Sequence, residues 1–468
     1  MMRRLLLAAG VLVLPAFALS QSVTVHSEAG QGDYQSISDA LAAVQGDGAG
    51  PDVITILNEG PFHELGLNIT GDANDNPLTI EASPGVRPIV VIQSGAFSPN
   101  PISKTGELTI RDLIVIPLAG VGPTDTAFRA FEITADIPGG IDYLFENILI
   151  SSNDGNDQPV ASLDGLTDPQ LDPDNLGDVT SFRGNAIKMR SQPTDEVNRF
   201  ILRDVVISGL VNGATTSGGF GIRGFMNGAP GSEWVIGEGC VISYNTNISG
   251  NLRGAIQPGG NEGAIDIFRV EGTEEKPVKI INNTNYYGIH ITATQIEESI
   301  KDFSWMVVAN NTEHGLWSQD SDEHYNFENV TFVNNGRNAL NLSPAYVVPH
   351  TAVDSIFAGN GTEDAENVLS ILTSEEDDGS FTFTNSAVVM DGPYSFNSAM
   401  LDDPPDYLVF ENSITDDPEF GSTDPSSAEF INVNNEAYGA AGPGGDPLRG
   451  AGEYTGPEPT SVMDWTLY

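Results

Sequence analysis

The sequence predicts an all-β chain, wound as a right-handed parallel β-helix of three-strand coils with an N-terminal capping helix. Three observations predict it. A short strand motif (small residue, aliphatic, variable, apolar) recurs along the middle of the chain. A second alternating pattern runs out of phase with it. Pairs of Asn or Gly close several of the strands.

The first motif reads Ala186-Ile-Lys-Met189, Gly221-Ile-Arg-Gly224, Ala264-Ile-Asp-Ile267, Gly288-Ile-His-Ile291, Gly315-Leu-Trp-Ser318 and Ala339-Leu-Asn-Leu342, with an earlier copy at Ala130-Phe-Glu-Ile133. From Ile187 the spacings are 35, 43, 24, 27 and 24 residues, and a period near 24 fits one turn of a three-strand solenoid coil. The second pattern includes Phe145-Glu-Asn-Ile-Leu-Ile150, Leu202-Arg-Asp-Val-Val-Ile207, Phe327-Glu-Asn-Val-Thr-Phe332 and Phe410-Glu-Asn-Ser-Ile414. Apolar and polar residues alternate there, as in a strand with one buried face. The pairs Asn282-Asn283, Asn310-Asn311, Asn334-Asn335 and Gly359-Asn360 follow such strands. Asn tolerates the left-handed conformation of a sharp turn, and its amide can bond the same turn of the next coil.

Bulk properties limit what the chain does. Met1-Met2-Arg3-Arg4 and the apolar run Leu5–Leu19 read as a leader over 1–20, cut before Gln21. The mature protein is therefore expected outside the cell or at its surface, as a monomer without a transmembrane anchor. A net charge of −46 repels polyanions, which excludes nucleic acid as a partner. The single cysteine, Cys240, reads as a small buried hydrophobe.

The repeat domain is expected over 21–454, with a capping segment at about 30–60 and the clearest repeats at about 182–360. Between coils, 151–181 is expected to form an acidic inserted loop carrying Asp154, Asp157, Asp164, Asp168, Asp172, Asp174 and Asp178. It offers oxygens to Ca²⁺ but lacks the regular D-x-D-x-D-G spacing, so a plain acidic insertion is the preferred reading. Residues 455–468 read as an extended C-terminal tail.

With Ile187, Ile222, Ile265, Ile289, Leu316 and Leu340 stacked inward, the next residues form an outward row: Glu132, Lys188, Arg223, Asp266, His290, Trp317 and Asn341. Arg190 and Gln319 belong to the row two residues further on. Asp266, His290 and Arg223 are the candidate catalytic residues. A carboxylate beside a histidine serves general acid–base chemistry, and Arg steadies a developing oxyanion. Lys188, Arg190, Trp317, Gln319 and Asn341 are the candidate substrate-binding residues, with Trp317 placed to stack on a sugar ring.

The opening Gly32-Asp-Tyr-Gln-Ser-Ile-Ser-Asp-Ala-Leu-Ala-Ala-Val44, the turn Gly60-Pro-Phe-His-Glu64 and the closing Asp417-Pro-Glu-Phe420 and Gly450-Ala-Gly-Glu-Tyr454 resemble exported proteins of the pectin lyase-like β-helix superfamily. That resemblance implies an amphipathic helix plugging the cylinder and an extracellular polysaccharide as partner, with lyase or glycoside hydrolase activity if the protein is an enzyme. The specific sites of the superfamily are incomplete. Arg223 and Asp266 lack the carboxylate cluster of a pectate-lyase-like calcium site, and Glu313-His314-Gly315 only partly echoes a polygalacturonase-like Gly-His-Gly. Two readings follow: a secreted protein binding or cleaving a glycan on its exposed sheet, or a non-catalytic surface or matrix β-helix with a structural or adhesive role.

The exported protein is expected to begin at Gln21 by N-terminal mass spectrometry. A mature chain that keeps Leu5–Leu19 would contradict the leader.

Overall fold

The computed structural model describes residues 21–45, 50–70, 76–93, 101–103, 106–118, 128–133, 142–151, 184–191, 199–209, 211–212, 220–226, 233–247, 253–258, 267–291, 299–319, 323–346, 349–360, 369–373, 380–389, 394–396, 399–401, 408–413 and 422. The leader, the acidic insertion and its Asp residues, the closing motifs and the C-terminal tail lie outside the described residues. Among the described residues no helix is long and apolar enough to cross a membrane.

The alternating apolar residues build strands that stack in parallel, coil upon coil. Phe145 pairs with Leu202 and Ile110, Phe303 with Phe327 and Val270, and Leu316 with Leu340 and Ile289. The described strands form a 19-stranded sheet, a 12-stranded sheet and a two-stranded one. Long strands of the 19-stranded sheet each bend once. Asp112, Asn147, Asp204, Trp305 and Asn329 hold positive φ of 64°, 53°, 48°, 47° and 53° in mid-strand. Inward parity changes at each bend: Tyr143 and Phe145 are buried before Asn147, and Ile148 and Ile150 after it. The single left-handed residue thus turns the chain onto a second face, and the 12-stranded sheet is the third. Three faces make each coil, and the fold is a right-handed parallel β-helix, the sense that parallel crossovers take almost without exception.

The N-terminal end is closed by a helix, α1 (Ile37–Val44), whose buried residues are Ile37, Ala40, Leu41 and Val44. Ser36 caps it, its hydroxyl accepting from the Asp39 N–H at 3.1 Å. The buried Glu64 carboxylate accepts from the Ile37 N–H at 2.7 Å, a negative charge at the positive end of the helix dipole. The Gly60–Glu64 turn therefore locks the plug to the first coils.

A second set of left-handed residues, Tyr244, Asn282, Asn310 and Asn334 (φ 51–55°), turns the chain toward the third face. The residues that follow form a ladder through the wall of the cylinder. The Oδ1 atoms of Asn283, Asn311, Asn335 and Asn360 accept from the side-chain amides of Asn245, Asn283, Asn311 and Asn335 at 2.9, 2.9, 3.0 and 2.8 Å. Each of those oxygens also accepts the backbone N–H of the preceding Asn. The other amide hydrogen goes to a carbonyl, such as Ile242 for Asn283 and Ile280 for Asn311. All five side chains are buried and every amide hydrogen is used, the condition for burying a polar group without large cost.

Inside the cylinder an aromatic chain runs from Phe131 through Phe145, Phe200, Trp234, Phe268, Phe303 and Phe327, with ring centroids 5.0–6.0 Å apart. The interior is not wholly apolar. Lys301 is fully buried in register between Phe268 and Tyr325, and the buried His350 Nδ1 accepts from the Tyr325 N–H at 3.2 Å. Cys240 is buried as expected, and burial pushes its thiol up to about 12, so it stays protonated.

Replacing Asn311 by Ala breaks the ladder on both sides, at about 1–3 kcal/mol for each buried group left without a partner. Urea unfolding followed by circular dichroism is expected to show Asn311→Ala clearly less stable than the exposed-site control Asn326→Ala. Equal midpoints would contradict the ladder's role.

Candidate functional site

The outward row of the 12-stranded sheet is fixed by strand register. Lys188 pairs with Glu132 on one side and Arg223 on the other, and Arg223 pairs with Gln257. Ile256 pairs with Ile289, which puts Gln257 beside His290. His290 then pairs with Trp317, and Trp317 with Asn341. The row is Glu132, Lys188, Arg223, Gln257, His290, Trp317, Asn341. Arg190 is in register with Phe225, two residues beyond Lys188.

This corrects one expected member. The strand of that coil is Arg253–Pro258, not the segment around Ile265, and the place expected for Asp266 is held by Gln257. Asp266 itself lies outside the described residues, just before the strand Ile267–Glu271. The physical reason is coil length: Gly254-Ala-Ile-Gln257 carries the same small-aliphatic signature and divides the stretch from Ile222 to Ile289 almost evenly. Phe268, which follows the Ala264–Ile267 motif, is fully buried in the interior aromatic chain.

Outward direction does not mean exposure here. Lys188, expected to bind substrate, is buried with its ammonium 3.7 Å from the buried Glu132 carboxylate. That pair is spent on itself, because separating two buried charges costs more than either gains from a dissolved ligand. Gln257 and His290 are each 1% exposed, and no donor among the described residues reaches Gln257 Oε1.

Around His290 the rings converge. His290 stacks on Trp317 with centroids 4.5 Å apart and planes 9° from parallel. Tyr287 leans on both, 5.2 Å from His290 and 4.6 Å from Trp317. Tyr287 also stacks on His314 at 5.5 Å and 13°. His314 Nδ1 accepts from the Asn338 N–H at 3.1 Å, and its Nε2 lies 3.2 Å from the Asn341 amide. With Nδ1 accepting, the neutral ring carries its proton on Nε2, the nitrogen that faces the Asn341 side-chain amide. Burial, then the Arg337 guanidinium, pushes the His314 pKa down to about 3. The ring is therefore a fixed neutral hydrogen-bonding group. Arg337 is itself held by Glu313 at 2.9 Å.

The structure thus brings together His290, Trp317 and Asn341 of the expected residues, and adds Gln257, Tyr287 and His314. Trp317 and Asn341 are half-buried and Gln319 is exposed, so these three are open to a ligand. Arg223 stands three coil steps from Trp317, about 14 Å along the axis. Among the described residues no group of three or more His, Cys, Asp or Glu is arranged to hold a metal ion.

No family model matches the chain, and no curated protein matches it. Among solved structures it is similar to the pectate lyase Pel9A, with a TM-score of 0.46 and 12% identity, covering 93% of this chain and 97% of that one. It is also similar to the catalytic domain of a GH87 α-1,3-glucanase in complex with nigerose (TM-score 0.33, 13% identity, 86% and 70% covered). A third is the GH136 lacto-N-biosidase from Eubacterium ramulus (TM-score 0.27, 8% identity, 84% and 68% covered). The class of fold is defined by this chain's own strand register: a right-handed parallel β-helix.

His314 and the interior His350 both have pKa values lowered to about 3 by burial. Unfolded histidine takes up its proton near 6.5, so the unfolded state binds more protons between those values. Stability is then full above about pH 6.5 and falls as pH drops toward 3. Between pH 7 and pH 5 each ring contributes a loss of roughly 2 kcal/mol. His314→Gln is expected to lose correspondingly less stability than the parent over that interval in urea unfolding. Identical losses would contradict the buried neutral imidazole.

Proposed function

We propose that this protein is exported and binds an extracellular polysaccharide on the outward face of its 12-stranded sheet. Trp317, Gln319 and Asn341 form the contact surface. The observation that carries the reading is the Tyr287–His290–Trp317 cluster. It holds a half-exposed indole rigidly in a row of hydrogen-bonding side chains. Such a surface suits a sugar, whose ring presents an apolar C–H face and a polar rim, and a pre-ordered aromatic binds it with little entropy loss.

Binding is better supported than cleavage. The proposed acid–base pair of Asp266 and His290 loses its basis in the row, where Gln257 adjoins His290. His290 lies against the Tyr287 and Trp317 rings. Lyase or hydrolase chemistry involving Arg223 remains the finer proposal. A screen of soluble polysaccharides, with and without added Ca²⁺, tests both levels through retention in affinity electrophoresis and release of reducing or unsaturated ends.

A second reading, a stiff structural or adhesive β-helix, is favoured by the unbroken Asn ladder and aromatic chain. Both would keep a spacer rigid. Cell fractionation separates the readings, since a matrix element stays with the cell surface whether or not glycans are added.

Trp317→Ala is expected to reduce retention by a glycan that holds the parent protein by tenfold or more, the scale of one lost aromatic contact of about 1.4 kcal/mol. Unchanged retention in the folded variant would overturn the assignment of this face.

A further inference from the structure

Among the described residues the ring stack at the site is incomplete on one side, and the groups around that side carry no available positive charge. We propose that the ligand is an uncharged sugar, whose C–H face continues the His290–Trp317 stack on the side of the indole turned toward Asn341. This rests on the glycan-binding reading above and names its ligand class.

The geometry comes first. His290 and Trp317 are register partners on successive coils, and their centroid spacing of 4.5 Å is close to the strand spacing of about 4.8 Å. The nearly parallel rings therefore stack along the cylinder axis, and His290 covers one face of the indole. The register partner on the following coil is Asn341, a shorter side chain without a ring. Its amide lies 3.2 Å from His314 Nε2, which draws it toward that ring. Among the described residues the second indole face is thus left without an aromatic partner, above a short polar residue, and Trp317 remains half-buried. A pyranose ring stacked there has the Asn341 amide and the exposed Gln319 within reach of its hydroxyl rim.

Charge then selects among sugars. Arg337 is paired with Glu313 at 2.9 Å, and Lys188 is buried against Glu132. Arg223 stands three coils away from Trp317, more than one screening length at physiological salt. The whole chain carries a net charge of −46, a field that opposes approach of a polyuronate. The amide side chains of Asn341 and Gln319 instead match hydroxyl groups, which both donate and accept.

The test is calorimetric titration of the full chain with oligosaccharides of matched length at low and high salt. One set contains gluco-, galacto-, manno- and xylo-oligosaccharides, and the other oligogalacturonate and oligoalginate. The expected result is that at least one neutral series binds with affinity nearly independent of salt. The uronates are expected to bind at least tenfold more weakly at low salt, and Trp317→Phe to retain most of the affinity that Trp317→Ala loses. Circular dichroism of both variants checks the fold, and Asn341→Ala provides a second probe should Trp317→Ala unfold. Uronates binding as tightly as neutral sugars would overturn this inference and leave the glycan-binding reading standing. Absence of binding in both sets would overturn that reading itself.

Discussion

Everything in this molecule depends on coil-to-coil register, and the buried asparagine ladder is the interaction that enforces it most directly. Hydrophobic stacking alone tolerates sliding, because one aliphatic side chain packs on the next with little directional preference. An amide does not. Each of the three inner ladder residues, Asn283, Asn311 and Asn335, accepts from the backbone and side chain of one neighbour and donates to another Asn and a carbonyl. A slip by one residue would leave several buried donors and acceptors unmade and would turn the aromatic chain toward solvent. With one cysteine in the sequence, no disulfide within the chain can share that task.

Register also explains why the site is ordered. His290, Trp317 and Asn341 lie on three different coils, and nothing local in sequence brings them together. They meet because Ile289, Leu316 and Leu340 are stacked beneath them. Tyr287, near the start of the strand Tyr286–Ile291, and His314, in the connection before Leu316, brace the arrangement, and the low pKa of His314 follows from the same close packing. Ladder, interior and outer row are three readings of one periodicity.

Much of the fold was legible because its determinants are periodic or local. The alternation around Phe145 and Phe327, the Asn pairs and the amphipathic face Ile37, Ala40, Leu41 and Val44 each mark a position by pattern, and the structure uses them as the pattern implies. The site was only partly legible. Gln257 was hidden by a competing motif at Ala264-Ile-Asp-Ile267, and unequal coil lengths were the one signal that separated them. Burial of Lys188 and His290 could not be read from outward direction, since it depends on what packs over the row. Tyr287 and His314 stand near turns, where strand parity gives no guidance. Lys301 in the interior breaks the hydrophobic pattern outright, and no periodic argument anticipates it.

The central claim, that Gln257 occupies the outward row between Arg223 and His290, is tested most directly by cysteine pairing. Two double variants are compared under mild oxidation: Arg223→Cys with Gln257→Cys, and Arg223→Cys with Asp266→Cys. The native Cys240 is buried and stays out of the reaction. Register neighbours on adjacent coils are close enough to bridge with small backbone adjustment. Peptide mapping is predicted to find a disulfide in the first variant and free thiols in the second. A disulfide only in the pair containing position 266 would contradict the register and the site built on it.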